Sequence, residues 1–298
     1  MSPVPLGIGS GGVRPNFQGS GGDLFVTALV GLLLSVITLY IYLPWFICKL
    51  MNYVASNTTL GPTRRGELRL EFTGKGGELF VTGLVGTLLT VLTAGIYAPW
   101  YIAKLIKFFS ENTRATAPDG TSYRVQFNGT GGELFVTFIV GFLLSVITLY
   151  IYMPWFMCKL NKTILSRMTL LENEQPIGNF DFEGQGGELF VTFLVGTILT
   201  VVTLYIYLPW YQVKLMQFFA ENTRVNVQGR TYAGAFHGTG GEFFVINLVG
   251  GLLTMLTLGI YFAWYLVKQY QFQLNNLEYR EIGGAPGGAF QPQMPVQY

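Results

Sequence analysis

The stretch "FQGSGGDLFVTALVGLLLSVITLYIYLPW" occupies residues 17–45, and close copies begin at Phe72, Phe127, Phe182 and Phe236. Successive copies are offset by 55, 55, 55 and 54 residues, so one unit is repeated five times with almost no change of register. Each copy opens with glycines, continues through an uncharged apolar run and ends in aromatic residues. We therefore divide the chain into five repeats and two tails, which we predict to be flexible. The repeats are 17–71, 72–126, 127–181, 182–235 and 236–281, and the tails are 1–16 and 282–298.

The composition is typical of a membrane protein. Half of the 298 residues are hydrophobic, 11% are charged and the mean hydropathy is +0.42. In each repeat an uncharged run of 22 residues ends at a Trp, as in 24–45, and a helix of roughly 20 residues spans the ~30 Å hydrocarbon layer. We therefore predict an α-helical integral membrane protein of five tandem repeats. Each repeat is expected to contain a transmembrane helix, an interfacial amphipathic helix and a short β-hairpin linker.

Acidic residues mark the start of each predicted span, and Trp and Lys mark its end. The acid follows a glycine pair, where a carboxylate faces the exposed N–H groups and the positive end of the helix dipole. These helix-entry acids are Asp23, Glu78, Glu133, Glu188 and Glu242. The Trp and the Lys four residues later suit the membrane–water interface. The predicted interface anchors are Trp45, Lys49, Trp100, Lys104, Trp155, Lys159, Trp210, Lys214, Trp264 and Lys268.

A stripe of small and hydroxyl-bearing residues runs along each predicted span in steps of about four residues. Such residues let transmembrane helices approach closely, so we predict that the stripe packs repeats against one another or against other copies. A lining for a narrow uncharged pore is the alternative, because Thr and Ser can face water. The candidate helix-packing residues are Thr27, Gly31, Ser35, Thr82, Gly86, Thr90, Gly141, Gly196 and Gly250.

The sequence holds little material for a conventional active site. His237 is the only histidine, and Cys48 and Cys158 occupy equivalent repeat positions. The glycine-rich entry resembles a phosphate-binding loop, but an acid follows it and no Lys-Ser/Thr pair completes it. We therefore predict no enzyme activity, no cofactor, no metal and no nucleic-acid partner. The expected partners are the lipid bilayer and, as a possible homo-oligomer, further copies of the chain.

Two membrane topologies are open. Repeats one and three resemble each other more than repeats one and two, and the cysteines recur in odd repeats. This 110-residue period favours one crossing per repeat, with successive spans running in opposite directions. In the rival topology each repeat enters and returns as a hairpin, which leaves every linker on one side.

The string "FTGKGGELFVTGLVGTLLTVLTAGIYAPWYIAKLIKFFSENT" at 72–113, with "TLGIYFAW" at 257–264, resembles the domain of unknown function of the YjgN family of bacterial inner-membrane proteins. The similarity recurs in all five repeats. It implies a bacterial source and an inner-membrane location, and it brings no established activity. We expect a membrane scaffold whose repeats pack through the stripe, or a channel or transporter for a small uncharged or weakly charged solute.

Overall fold

The computed structural model describes residues 12–284, in which every repeat contributes the same succession of strand, helix, turn, helix and strand. The strands are β1 (Arg14–Phe17), β2 (Thr58–Thr63), β3 (Gly66–Phe72), β4 (Thr113–Thr116), β5 (Ser122–Phe127), β6 (Met168–Glu172), β7 (Gln175–Phe182), β8 (Thr223–Val227), β9 (Arg230–Phe236) and β10 (Leu277–Gly284). The helices are α1 (Gly21–Ile37), α2 (Leu43–Ser56), α3 (Gly76–Leu92), α4 (Ala98–Glu111), α5 (Gly131–Ile147), α6 (Met153–Leu165), α7 (Gly186–Val202), α8 (Leu208–Glu221), α9 (Gly240–Leu256) and α10 (Phe262–Asn275). Parts of both predicted tails thus lie in strands β1 and β10, whereas residues 1–11 and 285–298 lie outside the described residues.

The ten strands form one antiparallel sheet in which neighbours in sequence are neighbours in space. The linkers form the β-hairpins that their alternating residues predict, as in β2–β3 and β4–β5. The sheet closes on itself, because Val13 and Tyr279 exchange two backbone hydrogen bonds of 2.9 Å beside strands β1 and β10. The sequence did not predict this joining of all linkers into one sheet.

All of the helices leave the sheet at the same end. Each odd-numbered strand is followed by a helix at its C-terminus, and each even-numbered strand is preceded by a helix at its N-terminus. Since neighbouring strands run in opposite directions, these strand ends lie together. The opposite end carries short turns, such as those at 64–65 and 228–229. The prediction of one crossing per repeat, which would put successive linkers on opposite sides, is therefore wrong.

The prediction of five transmembrane helices is also wrong. The first apolar run does not form one helix, because α1 ends at Ile37 and α2 begins at Leu43. Two consecutive residues between them, Leu39 and Tyr40, have φ of 48° and 66°. This left-handed backbone reverses the chain, so a run of 22 apolar residues becomes a helical hairpin. Within residues 12–284, no helix combines the length and apolarity that a membrane crossing requires.

A buried Phe at the end of each odd-numbered strand anchors the next hairpin to the sheet. Phe72 packs with Leu79 of α3 and with Cys48 and Ala55 of α2, so it joins two successive repeats. Each even-numbered helix packs in this way on the next odd-numbered strand, as α2 packs on β3, and α10 packs on β1. The five phenylalanines in this position are Phe17, Phe72, Phe127, Phe182 and Phe236, all at most 6% exposed.

A buried carboxylate lies beside the closure of the sheet. Glu278 of β10 accepts hydrogen bonds from Arg14 of β1 at 3.0 Å and from Arg280 at 2.7 Å. Its Oε2 also lies 2.6 Å from Nε2 of His237. The hydrogen bond from Arg280, followed by those with His237 and Arg14, lowers the pKa of Glu278 to about 2. The closing strands are thus held together by charge as well as by backbone hydrogen bonds.

We predict that acid weakens this closure. Because the folded pKa of Glu278 is depressed, the carboxylate stabilises the fold fully above its ordinary pKa near 4.5, and this contribution disappears as the pH falls toward about 2. Glu278→Gln should therefore have a lower Tm at pH 7, and its Tm should depend less on pH between 5 and 2. Glu281→Gln, which removes an exposed ion pair with Arg230, serves as the control and should melt like the native protein. A native Tm and native acid dependence for Glu278→Gln would contradict this role.

Candidate functional site: the hairpin tips

Each helical hairpin ends in a five-residue reversal, which we call the hairpin tip. In the first repeat, the tip begins with Thr38, whose hydroxyl donates to the carbonyl of Leu34 at 2.7 Å and accepts from the N–H of Tyr42 at 3.0 Å. One side chain thus ends the first helix and caps the second. The same pair of hydrogen bonds is made by Thr93, Thr148, Thr203 and Thr257. The tips are 38–42, 93–97, 148–152, 203–207 and 257–261.

The reversal satisfies its own backbone donors. In the first repeat the N–H of Tyr40 bonds to the carbonyl of Ser35 at 2.6 Å, and the N–H of Ile41 bonds to Thr38 at 3.1 Å. Pro44 supplies no N–H at the start of α2, where a helix otherwise leaves donors unpaired. Every N–H group from 38 to 46 therefore has a partner inside the hairpin.

Residues with left-handed backbone occupy the second and third positions of each tip. Gly95 and Gly259 hold the third position in repeats two and five, whereas the other repeats have Tyr40, Tyr150 and Tyr205. A side chain in this conformation costs roughly 1–2 kcal/mol relative to glycine. The three tyrosines are at least 60% exposed, so packing within the described residues offsets little of that cost.

Within residues 12–284, the tips are the most exposed apolar part of the chain. Leu39, Leu149, Leu204 and Leu258 are 83–95% exposed, and Ile37 and Ile147 beside them are about 75% exposed. Single exposed apolar residues are ordinary, but an extended apolar patch marks a surface that contacts a partner or a membrane. Here the exposure recurs in all five hairpins, at the same end of the sheet.

The predicted helix-packing glycines lie inside the hairpins. A Cβ added to Gly31 would lie 2.0 Å from the ring of Phe46, so only glycine lets the second arm approach the first. Ser35 donates to the carbonyl of Gly31 at 2.7 Å, and Thr90 does the same to Gly86. Thr27 and Thr82 are half-buried. The other glycine–ring pairs are Gly86 with Tyr101, Gly141 with Phe156, Gly196 with Tyr211 and Gly250 with Tyr265.

The Trp side chains of the predicted interface anchors wedge between repeats. Trp45 covers Gly76 of the next repeat, and its ring lies 5.4 Å from that of Phe80. Trp264 makes the same contact with Gly21 of the first repeat, which closes the ring of hairpins. The remaining contacts are Trp100 with Gly131, Trp155 with Gly186 and Trp210 with Gly240.

The lysines among the predicted anchors and the helix-entry acids lie at exposed or partly exposed positions. Lys49 lies with its Nζ 5.6 Å from the ring centre of Tyr42, and Lys104, Lys159, Lys214 and Lys268 are also exposed. The acids Asp23, Glu78, Glu133, Glu188 and Glu242 stand in the first turns of the odd-numbered helices. Glu133 and Glu242 complete capping boxes, as expected for helix starts.

Two adjacent glycines in α9 allow a matched test of the hairpin packing. A Cβ on Gly250 would lie 2.1 Å from the ring of Tyr265, whereas a Cβ on Gly251 would meet nothing within 4 Å. We predict that Gly250→Ala lowers the free energy of unfolding by about 1–3 kcal/mol through overpacking. Gly251→Ala should raise it by about 0.5–1 kcal/mol through helix propensity. Thermal melting of both variants checks the pair, and equal effects would show that the ring contact is unimportant.

Comparison with known proteins gives the family. The model of a bacterial protein of unknown function, DUF898, matches residues 11–65, 67–117, 178–235 and 231–281, which is more than half of the chain. The chain belongs to the DUF898 family. The recurrence of the match along the chain fits the tandem repeats, and the expected resemblance to the YjgN family is confirmed.

Curated relatives carry the name inner membrane protein YjgN. The protein from Salmonella typhimurium strain LT2 is 40% identical over 93 residues, which are 31% of this chain and 22% of the relative. The protein from Escherichia coli strain K12 is 38% identical over 74 residues, which are 25% of this chain and 18% of the relative. The matched region thus spans about a fifth of each relative. No solved structure matches this chain. The names of the relatives support a membrane protein located in the bacterial inner membrane.

Proposed function

We propose that this DUF898 protein is a non-enzymatic membrane scaffold that enters the bilayer from one side. In this proposal, the five hairpin tips lie in the hydrocarbon layer and the closed sheet lies outside it. The partner is the lipid bilayer. The observation that carries the proposal is the recurrence of an exposed apolar tip on every hairpin, at one end of the sheet.

The hydrogen bonding of the tips suits an apolar surrounding. An unpaired backbone donor costs several kcal/mol in hydrocarbon, so irregular backbone there must satisfy itself. The first tip does this through Thr38, through carbonyls of its own hairpin and through Pro44, which has no N–H. A reversal that relied on water for its donors would not tolerate such a location.

The charge distribution supports the same orientation. From Leu24 to Trp45 the first hairpin carries no charged residue, and the acid and the lysine lie outside that run. An α-helix of 17 residues, such as α1, is about 25 Å long. Lys49 and its four equivalents are exposed, and their long stems can bring the ammonium groups to the headgroup level.

The scaffold role is supported by the polar groups of the sheet and of the stripe, which bond to other groups of the same chain. Charged groups of the sheet bond to one another, as in Arg14 with Glu278 and Arg124 with Glu174. The ring of repeated hairpins offers a surface on which further copies of the chain can assemble. The alternative role, a channel lined by the stripe, has less support, because the stripe glycines face aromatic rings and Ser35 bonds to its own helix.

A triple substitution at the tips tests membrane entry. Leu39, Leu149 and Leu204 have φ near 49°, a conformation that Asp tolerates better than Leu does. Changing all three to Asp should therefore leave the fold intact. Each Asp costs about 2.5–3.5 kcal/mol at the centre of a membrane helix, so we predict at least a tenfold loss of vesicle-bound protein.

The experiment is flotation of protein synthesised without cells in the presence of vesicles of phosphatidylethanolamine and phosphatidylglycerol. The matched control changes the same three leucines to Met and should float like the native protein. Flotation of the triple Asp variant at the native level, with a native circular dichroism spectrum, would contradict the proposal. Release of a small trapped solute by the native protein would favour the channel over the scaffold.

A further inference from the structure

The closed sheet encloses an apolar cavity of about 470 Å³. All ten strands or their flanking residues contribute to its wall, so the cavity is the interior of the sheet itself. Its volume lies in the range of about 300–1,000 Å³ that is usual for small-molecule sites. The wall includes Leu60, Leu70, Val125, Leu170, Val225 and Tyr279.

The wall is apolar because the strands alternate. Leu68 and Leu70 of β3 face inward, while Arg69 and Glu71 between and beyond them are exposed. Val125 of β5 and Val225 of β8 lie on the same inner wall. An apolar wall of this kind favours contact with apolar molecules over contact with water.

The cavity is closed at the turn end of the sheet. Leu68, Tyr123, Val227 and Tyr232 form a buried cluster there, all at most 4% exposed. Glu172 lies in the same region, where it accepts a hydrogen bond from the hydroxyl of Tyr123 at 3.1 Å and pairs with an arginine from the β2–β3 turn at 2.6 Å. A ligand therefore has no entry from this end.

The cavity opens toward the helices. Leu70, Val125, Leu170 and Val225 stand one step closer to the helices than the buried cluster, and all four are only half-buried. Ser110 of α4 and Thr113 of β4 continue the wall at this end, and their hydroxyls donate to carbonyls of α4. Arg114 and Arg124 also border the cavity; Arg124 pairs with Glu174, and Arg114 is exposed beside Thr113.

We propose that this cavity binds a single hydrocarbon chain, either of a membrane lipid or of a free fatty acid. The inference rests on the proposed function, since the inserted hairpins bring the open end of the sheet to the bilayer surface. The chain enters from the helix end, its methyl end lies near the Tyr123 cluster, and its polar end stays outside. Recognition falls on the hydrocarbon chain, which contacts the apolar inner wall.

Photo-crosslinking tests the proposal on the full chain in vesicles. One arm uses a fatty acid with a terminal diazirine, and the other uses a phospholipid whose acyl chain carries the same group. We expect crosslinks on inner-wall peptides of β3, β5 and β8 in at least one arm, and the arm that labels identifies the source of the chain. Labelling of the hairpin tips without any labelling of the inner wall would overturn this inference and leave membrane entry intact. Absence of tip labelling would instead argue against the proposed function.

Two Trp variants of β3 test whether labelling of the inner wall requires an open cavity. Leu70→Trp fills the cavity and should reduce inner-wall labelling at least fivefold. Glu71→Trp adds the same side chain to the exposed face at the next position and should leave labelling unchanged. If melting shows that Leu70→Trp does not fold, Val125→Phe carries the same prediction with a smaller increase in volume. Native labelling of a folded cavity-filling variant would contradict the proposal.

Discussion

One threonine hydroxyl per repeat holds the chain reversal on which the rest of the structure depends. Thr38 accepts from the N–H of Tyr42 and donates to the carbonyl of Leu34, so the end of one helix and the start of the next share one side chain. The reversal returns each chain segment to the end of the sheet from which it left. Only then can the strand after the hairpin pair with the strand before it. This local pair of hydrogen bonds therefore stabilises the hairpin at the point where the chain reverses.

The repetition of this unit accounts for the closed architecture. Each hairpin is fixed to the next by the same contact between a Trp and a glycine, and the fifth copy of that contact joins Trp264 to Gly21. The sheet closes at the corresponding place, beside Arg14 and Glu278. Because all five hairpins attach at one end, the exposed apolar tips form one surface and the charged turns form another. The proposed orientation at the membrane follows from this asymmetry.

The sequence revealed the repeats, the helical character of the apolar runs and the β-hairpins, because each has a strong periodicity. It favoured one crossing per repeat over the rival hairpin, because 22 uncharged residues satisfy the length of a transmembrane helix. A signal was nevertheless present in "TAGIY" and "TLGIY", where Gly95 and Gly259 mark a position with positive φ. In the other repeats this position is a tyrosine, a residue that does not indicate positive φ. The cavity could not be predicted, since it depends on the closure of ten strands that the sequence shows only as separate hairpins.

The most direct measurement of the account is the sidedness of successive linkers. Single cysteines replace Arg64 and Pro118, which are exposed in consecutive turns of the sheet, in a protein that lacks Cys48 and Cys158. A third variant carries its cysteine at Leu39 in the first tip. A membrane-impermeant thiol reagent is then applied to oriented inner-membrane vesicles. The account predicts that both turn cysteines react from the same side and that the tip cysteine reacts only after detergent is added. Labelling of the two turn cysteines from opposite sides would contradict it.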